Sequence, residues 1–228
     1  MISERIDEIR RRMDAACRRA GRNPSEVTLV AVAKTFPASD VREAVRAGAT
    51  SVGENYVQEL LTKREVLDDL PVAWHFIGHL QSNKVKHIAG WVRMIHAVDS
   101  LSLVGEIDRR AAQAGRTIEC LVEVNTTGEQ SKFGLKPEDT PAFVRSLAGY
   151  EHVKVGGLMT IGPFLPDPEG SRPMFRRLRE LRNDLAGQGG VTMQHLSMGM
   201  TGDFEVAIEE GATLVRIGTA IFGSRNKT

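Results

Sequence analysis

The sequence predicts an α/β chain closed as one (β/α)8 barrel over residues 1–228, with an extra helix at its N-terminus. Eight short apolar runs alternate with amphipathic stretches, the pattern of parallel strands joined by crossover helices. Eight such units suit a closed barrel better than the competing architecture, an open doubly wound sheet. The unusual polar and glycine-rich residues also fall after the strands, where a barrel of this kind gathers its active-site loops.

The elements follow in order. Ile2, Ile6, Ile9, Met13 and Cys17 recur at helical spacing, so the chain opens with a helix that ends near Gly21. Strands are expected at 27–33, 51–54, 73–77, 93–98, 117–124, 153–158, 193–197 and 213–217. Helical patterns separate them, among them Asp40–Ala47, Leu101–Ala114 and Phe204–Glu210, stopped by Gly48, Gly115 and Gly211. Asp99-Ser100, after the fourth strand, reads as a helix cap. The proline-rich stretch Gly162–Gly170 directly follows a strand, so it reads as a loop over the barrel mouth rather than a linker. No composition break or long repeat marks a second domain.

Composition excludes several classes of partner. Of 228 residues, 41% are hydrophobic and 26% charged, an ordinary globular composition. Lys and Arg number 30 against 29 Asp and Glu, so no overall field points to nucleic acid or to a membrane surface. The basic cluster Arg10-Arg11-Arg12 with Arg18, Arg19 and Arg22 is interleaved with Glu4, Asp7, Glu8 and Asp14, which reads as a solvated helix face. Cys17 and Cys120 are too few for a disulfide framework and lack metal-ligand spacing. With no apolar signal core after Met1 and no run of membrane-spanning length, the expected location is the cytoplasm.

Lys34 is the first candidate for chemistry. It ends the apolar run Val27–Ala33, and a strand-end lysine with an apolar approach loses hydration, which favours the neutral amine that attacks an aldehyde. The competing reading is a lysine leaving a strand for solvent. Two later loops look built for a phosphate. After the eighth strand, Arg216-Ile217-Gly218-Thr219-Ala220 opens a short helical turn whose first amides suit an anion, and Ser197 at the end of the seventh strand can add a hydroxyl. The alternative is that Gly218 and Ser197 are ordinary turn residues. Period-two alternation through Leu214–Ile217 puts Leu214 and Arg216 on one face and Val215 and Ile217 on the other; if the latter pair meets the outer helices, Arg216 points into the barrel top. There it serves either as a donor to a ring nitrogen or as half of an ion pair with Glu54 or Glu123.

The motifs Val30–Thr35, Gly53–Glu59, Trp74–Gly78 with Leu80–Lys84, Gly157–Met159, Leu196–Met200 and Val215–Gly223 together resemble the pyridoxal phosphate homeostasis proteins, in order and over nearly the whole chain. The resemblance implies a single-domain barrel of the alanine racemase kind carrying pyridoxal 5'-phosphate (PLP) on a lysine. It implies that Lys34 is the aldimine lysine, that Ser197, Gly218 and Thr219 hold the phosphate, that Arg216 faces the pyridine nitrogen, and that Asn55 and Met200 lie near the cofactor. It places Lys132 where the racemases have an arginine near the phenolic oxygen; an acceptor lysine for cofactor hand-over and an exposed loop cation are the other readings. The departures are His79, at a position where the family pattern carries proline, and Ala33, where relatives often have serine.

Arginine does not readily surrender a proton, so a pyridine nitrogen facing it stays unprotonated and the ring is a weak electron sink. The racemases compensate with a tyrosine from a separate domain, for which this chain leaves no length, and neither Tyr56 nor Tyr150 resembles that residue. The expected function is therefore intracellular PLP homeostasis without catalytic turnover, with PLP-dependent apoenzymes as possible recipients and a monomer or weak dimer as the state. The alternatives are a single-domain amino-acid racemase using Lys34 with Lys132 or His79, and a barrel binding another phosphorylated metabolite. His75 and His79 have no matching Cys/His set, so no metal is expected.

Overall fold

Eight parallel strands close in chain order, and the last hydrogen-bonds back to the first. They are β1 (Thr28–Val32), β2 (Ser51–Glu54), β3 (Ala73–Phe76), β4 (Met94–Val98), β5 (Ile118–Glu123), β6 (Val153–Met159), β7 (His195–Ser197) and β8 (Leu214–Ile217). The helices are α1 (Ile2–Arg19), α2 (Ala38–Arg46), α3 (Val57–Val66), α4 (Val85–Ile88), α5 (Leu101–Gln113), α6 (Thr140–Ser146), α7 (Arg172–Leu185), α8 (Phe204–Glu209) and α9 (Thr219–Phe222). This computed structural model describes residues 1–129, 133–188 and 191–224. Each strand lies within two residues of its expected bounds, and the closed barrel replaces the open-sheet alternative.

The extra helix has a physical reason. Each barrel strand needs an outer helix against its outward apolar side chains, and α9 is a single turn. Helix α1 fills that gap, packing on α8, α2 and α9 with Ile2, Ile6, Ile9, Met13 and Cys17 buried. Burying four such large side chains contributes roughly 1.5–3 kcal/mol each. Gly21 then adopts φ +64°, and the Arg22 amide turns back to the Cys17 carbonyl at 2.9 Å, which ends the helix. Arg12 fixes α1 to α8 through a two-pronged hydrogen bond to Glu205 at 2.9 and 2.8 Å.

Two apolar clusters result. The larger lies between strands and helices and takes Val215 and Ile217, the outward face of β8. The smaller, inside the barrel, holds Val30, Met94, Ala97, Leu121, Met159 and Leu214. It is small because polar side chains share the interior: His75, His96, Glu119, Glu123, Ser197 and Arg216 are all buried. A barrel interior usually consists of branched aliphatic side chains, so this polar file marks where function has displaced packing.

Candidate functional site

The C-terminal mouth of the barrel holds a cavity of about 430 Å³. Lys34 enters it from the end of β1, Asn55 from the end of β2, and Arg216, Gly218 and Thr219 from β8 and the turn into α9. Met200 and Thr201 reach it from the loop after β7, and Phe164 from the proline-rich loop after β6, which does lie over the mouth. Six of the eight residues expected at the site thus line one cavity. Lys132 lies outside the described residues.

Ser197 lies apart from the cavity lining. It is fully buried and does not line the cavity, because β7 continues through it and turns its side chain into the barrel under Arg216. The hydroxyl that reaches the cavity from this loop is that of Thr201, which accepts a hydrogen bond from the Ala220 amide at 3.3 Å. The loop is shaped by Gly199 at φ +90°, where an added Cβ would lie 2.5 Å from the Ala207 Cβ. Asp203 then accepts from the Met200 amide at 2.7 Å and from Ser171 Oγ at 3.0 Å, holding Met200 and Thr201 in place.

At the turn into α9, the amides of Ile221 and Phe222 both return to the Gly218 carbonyl at 2.9 Å. The first amides of such a turn have no acceptor within it and are available to an anion. A Cβ on Gly218 would stand 3.2 Å from the Val32 carbonyl oxygen, so the turn sits closely over the end of β1. Gly78 plays a similar part beneath Asn55: a Cβ there would fall 2.4 Å from the Asn55 carbonyl oxygen. Asn55 Oδ1 is buried and has no hydrogen-bond partner among the described residues. An orphaned buried acceptor is costly, and its place in the cavity wall suits a ligand that donates to it.

Arg216 forms neither of the ion pairs weighed from the sequence. Glu54 is taken by Lys63, and the guanidinium donates through Nη1 to Ser197 Oγ at 2.5 Å and through Nη2 to the Thr160 carbonyl at 2.8 Å. Burial lowers its pKa to about 10, with Glu123 opposing, so it remains a cation at neutral pH. The hydrogen bonding continues inward. Ser197 Oγ lies 2.9 Å from His96 Nδ1, and His96 Nε2 lies 2.9 Å from His75 Nδ1. Burial holds His75 down at about 4 and His96 well below its ordinary value, so both are neutral. The tautomer that gives every hydrogen in this file an acceptor has Ser197 accepting from Arg216 and donating to His96 Nδ1, with the Nε2–H of His96 donating to His75 Nδ1. Beyond His75, at the N-terminal end, Glu119 stands 3.4 Å from Arg93, 3.7 Å from Lys154 and 3.6 Å from His195.

Two carboxyls stand at the mouth: Glu123, weighed from the sequence only as an ion-pair partner for Arg216, and Asp99, read there only as part of a helix cap. Glu123, the last residue of β5, is buried, and burial with Asp99 nearby pushes its carboxyl up to about 7 against the pull of Arg216. Asp99 thus belongs to the site's electrostatics, while Ser100, in the N-cap position of α5, makes no side-chain capping bond. The alternating pattern Glu119, Leu121, Glu123 on β5 was the available signal. His79, exposed on the rim, stacks on Phe133 with ring centroids 4.0 Å apart. Among the described residues no His, Cys, Asp or Glu group could hold a metal ion, and no helix is long and apolar enough to cross a membrane.

A parallel barrel with a strand-end lysine, a buried arginine and a glycine turn around one mouth cavity defines a class, and the family model of the alanine racemase N-terminal domain matches residues 5–226. An alanine racemase from Streptomyces lavendulae shares this fold at a TM-score of 0.72 and 21% identity, over 96% of this chain and 57% of that one. Nearer relatives narrow the class. A pyridoxal phosphate homeostasis protein of Aquifex aeolicus is 48% identical over 222 residues, covering 97% of both chains. PipY of Synechococcus elongatus, solved with PLP bound, superposes with a TM-score of 0.85 at 35% identity, over 98% of this chain and 100% of that one. The chain belongs to the family of pyridoxal phosphate homeostasis proteins.

Proposed function

We propose that this protein binds PLP through Lys34 and serves in cytoplasmic PLP homeostasis, holding the cofactor and releasing it to PLP-dependent apoenzymes without turnover of its own, as a monomer or weak dimer. The observation that carries this reading is the meeting of Lys34, Arg216 and the Gly218-Thr219 turn in one cavity of about 430 Å³. The names of the relatives support it, as does the PLP-bound structure of PipY. Cys17 and Cys120, both free and buried, suit a reducing compartment.

The residues present fit the group. The turn amides of Gly218 and Thr219 with the Thr201 hydroxyl suit a phosphate, Asn55 Oδ1 offers an unused acceptor, and Arg216 keeps N–H donors beyond those spent on Ser197 and Thr160. When bound, PLP supplies an aldehyde that a neutral lysine amine captures reversibly. Arg216 would donate to the ring nitrogen without giving up a proton, which would keep carbanion chemistry weak. Among the described residues lining the cavity, Lys34 and Arg216 are the ionisable ones. An amino-acid racemase needs a second acid or base on the opposite face. Tyr56 is exposed at the rim beside α3, and Tyr150 precedes β6 at the other end of the barrel.

The test is the absorption spectrum of the protein mixed with PLP, before and after borohydride, with the reduced adduct mapped by mass spectrometry. Adduct at Lys34 and its loss in Lys34→Ala support the reading; an undiminished band in Lys34→Ala rejects the site. Sustained deuterium incorporation at the α-carbon of an amino acid would reject the carrier role.

A further inference from the structure

The turn that carries Lys34 is held in an unusual way. Thr35 has φ +68°, a left-handed conformation that a β-branched residue adopts only when its surroundings impose it. Two groups from α3 do so. Glu59 Oε2 accepts the Thr35 amide hydrogen at 2.7 Å, and Lys63 Nζ donates to the Ala33 carbonyl at 2.7 Å, so the backbone is gripped on both sides of Lys34. Lys63 also donates to Glu54 Oε1 and, at 3.0 Å, to Glu59 Oε2, so its three hydrogens meet three acceptors. The other oxygen of Glu54 accepts the Asn55 amide at 3.3 Å. One buried cluster therefore touches the backbone of both Lys34's turn and Asn55.

Stability alone is a weak explanation for this cluster. The Lys63 side chain is 7% exposed and that of Glu54 is fully buried, and such a pair is often no more stable than apolar residues of similar shape. A charge-bearing clamp does what an apolar contact cannot, which is to fix two backbone segments by directed hydrogen bonds. We infer that Lys63, Glu59 and Glu54 are positioning residues that hold Lys34 and Asn55 in the geometry needed to capture the cofactor aldehyde. The inference rests on the reading of Lys34 as the cofactor-binding lysine.

Glu59 is the residue to test, because Lys63→Met would strand the buried charge of Glu54. Glu59 is about one-third exposed, at 32%, and Lys63 keeps Glu54 and the Ala33 carbonyl without it, so its replacement is the milder change. Glu59→Leu removes the acceptor, whereas Glu59→Gln retains a carbonyl oxygen for the Thr35 amide. Three quantities are measured: hydrogen exchange of the Thr35 amide in ligand-free protein, the rate at which added PLP is captured at Lys34 with release of one water, and Tm. In Glu59→Leu, Thr35 exchange should quicken and capture should slow, each roughly tenfold, the equivalent of one charge-assisted hydrogen bond. Tm should move by no more than about 4 °C. Glu59→Gln should restore both rates to within about twofold of wild type. Wild-type capture in Glu59→Leu, or unchanged Thr35 exchange, overturns the clamp. Should wild-type protein capture no PLP at all, the cofactor reading falls instead, and the clamp is judged on Thr35 exchange alone.

Discussion

Replacing Glu123 with glutamine should raise the stability of the ligand-free protein, and do so increasingly as pH rises. The wild-type carboxyl is moved by burial from 4.5 to about 7. Between those values the folded protein holds a proton that the unfolded chain has released, so stability falls as pH rises, and the loss is complete above pH 7. At about 1.36 kcal/mol per pH unit, the interval amounts to roughly 3 kcal/mol. His75 acts in the opposite sense. Its pKa is depressed from 6.5 to about 4, so the unfolded chain binds a proton that the folded protein refuses, and stability falls as pH drops through that window. In the wild type the two slopes oppose each other between pH 4.5 and 6.5 and flatten the profile. Glu123→Gln removes one and exposes the other. Thermal unfolding followed by circular dichroism from pH 5 to pH 8 should show a small Tm difference at the acid end. At pH 8 the gain should reach about 6–12 °C, at 2–4 °C per kcal/mol for a chain of this size. A Tm difference that stays constant across the range would refute the assignment of Glu123 as a buried, proton-holding carboxyl.

Other substitutions probe the remaining parts. Thr201→Val should weaken PLP binding by roughly 10–100-fold, the value of one hydrogen bond to a charged group, and lower Tm by no more than about 4 °C through the lost Ala220 contact; equilibrium dialysis reads the affinity, and a wild-type value would remove Thr201 from the phosphate site. Ser197→Ala leaves an Arg216 N–H and His96 Nδ1 without their partner, so it should cost about 1–3 kcal/mol in urea unfolding, and a neutral result would contradict the buried chain. Gly78→Ala forces a Cβ against the Asn55 carbonyl, and should cost roughly 1–3 kcal/mol of stability while also lowering PLP affinity; retention of both would show that the Asn55 backbone moves freely.

Much of this was legible because it is local. The eight strands are short apolar runs with glycine or polar residues after them, and alternation put Arg216 on the face opposite Val215 and Ile217, which do meet the helices. Lys34 was legible from its place at the end of such a run. What escaped depends on how far strands extend and on side chains brought together from distant elements. The sequence put Ser197 at the end of β7, as found, but not the Thr201 hydroxyl, which reaches the cavity only after the loop has risen four more residues. Lys63 gave a clear helical pairing with Glu59 four residues earlier, but its burial against Glu54 and its reach to Ala33 need β1, β2 and α3 packed together. His96 alternates inward on β4, a visible signal, although its partners lie on β3 and β7.

The file of hydrogen bonds behind Arg216 also decides how that cation is solvated. A buried guanidinium is ordinarily neutralised by a carboxylate, which would screen it from anything on its far side. Here its adjacent hydrogen-bond partners are a hydroxyl and a carbonyl, and the hydroxyl leads to two neutral imidazoles in file, His96 and then His75, away from the cavity. Each dipole turns its negative end toward Arg216, so the charge is stabilised at contact by orientation, with Glu123 and Asp203 adding a pull from farther off. A ligand nitrogen entering the cavity therefore meets a cation whose own hydrogen-bond partners are uncharged, while the imidazoles behind it stay neutral down to His75.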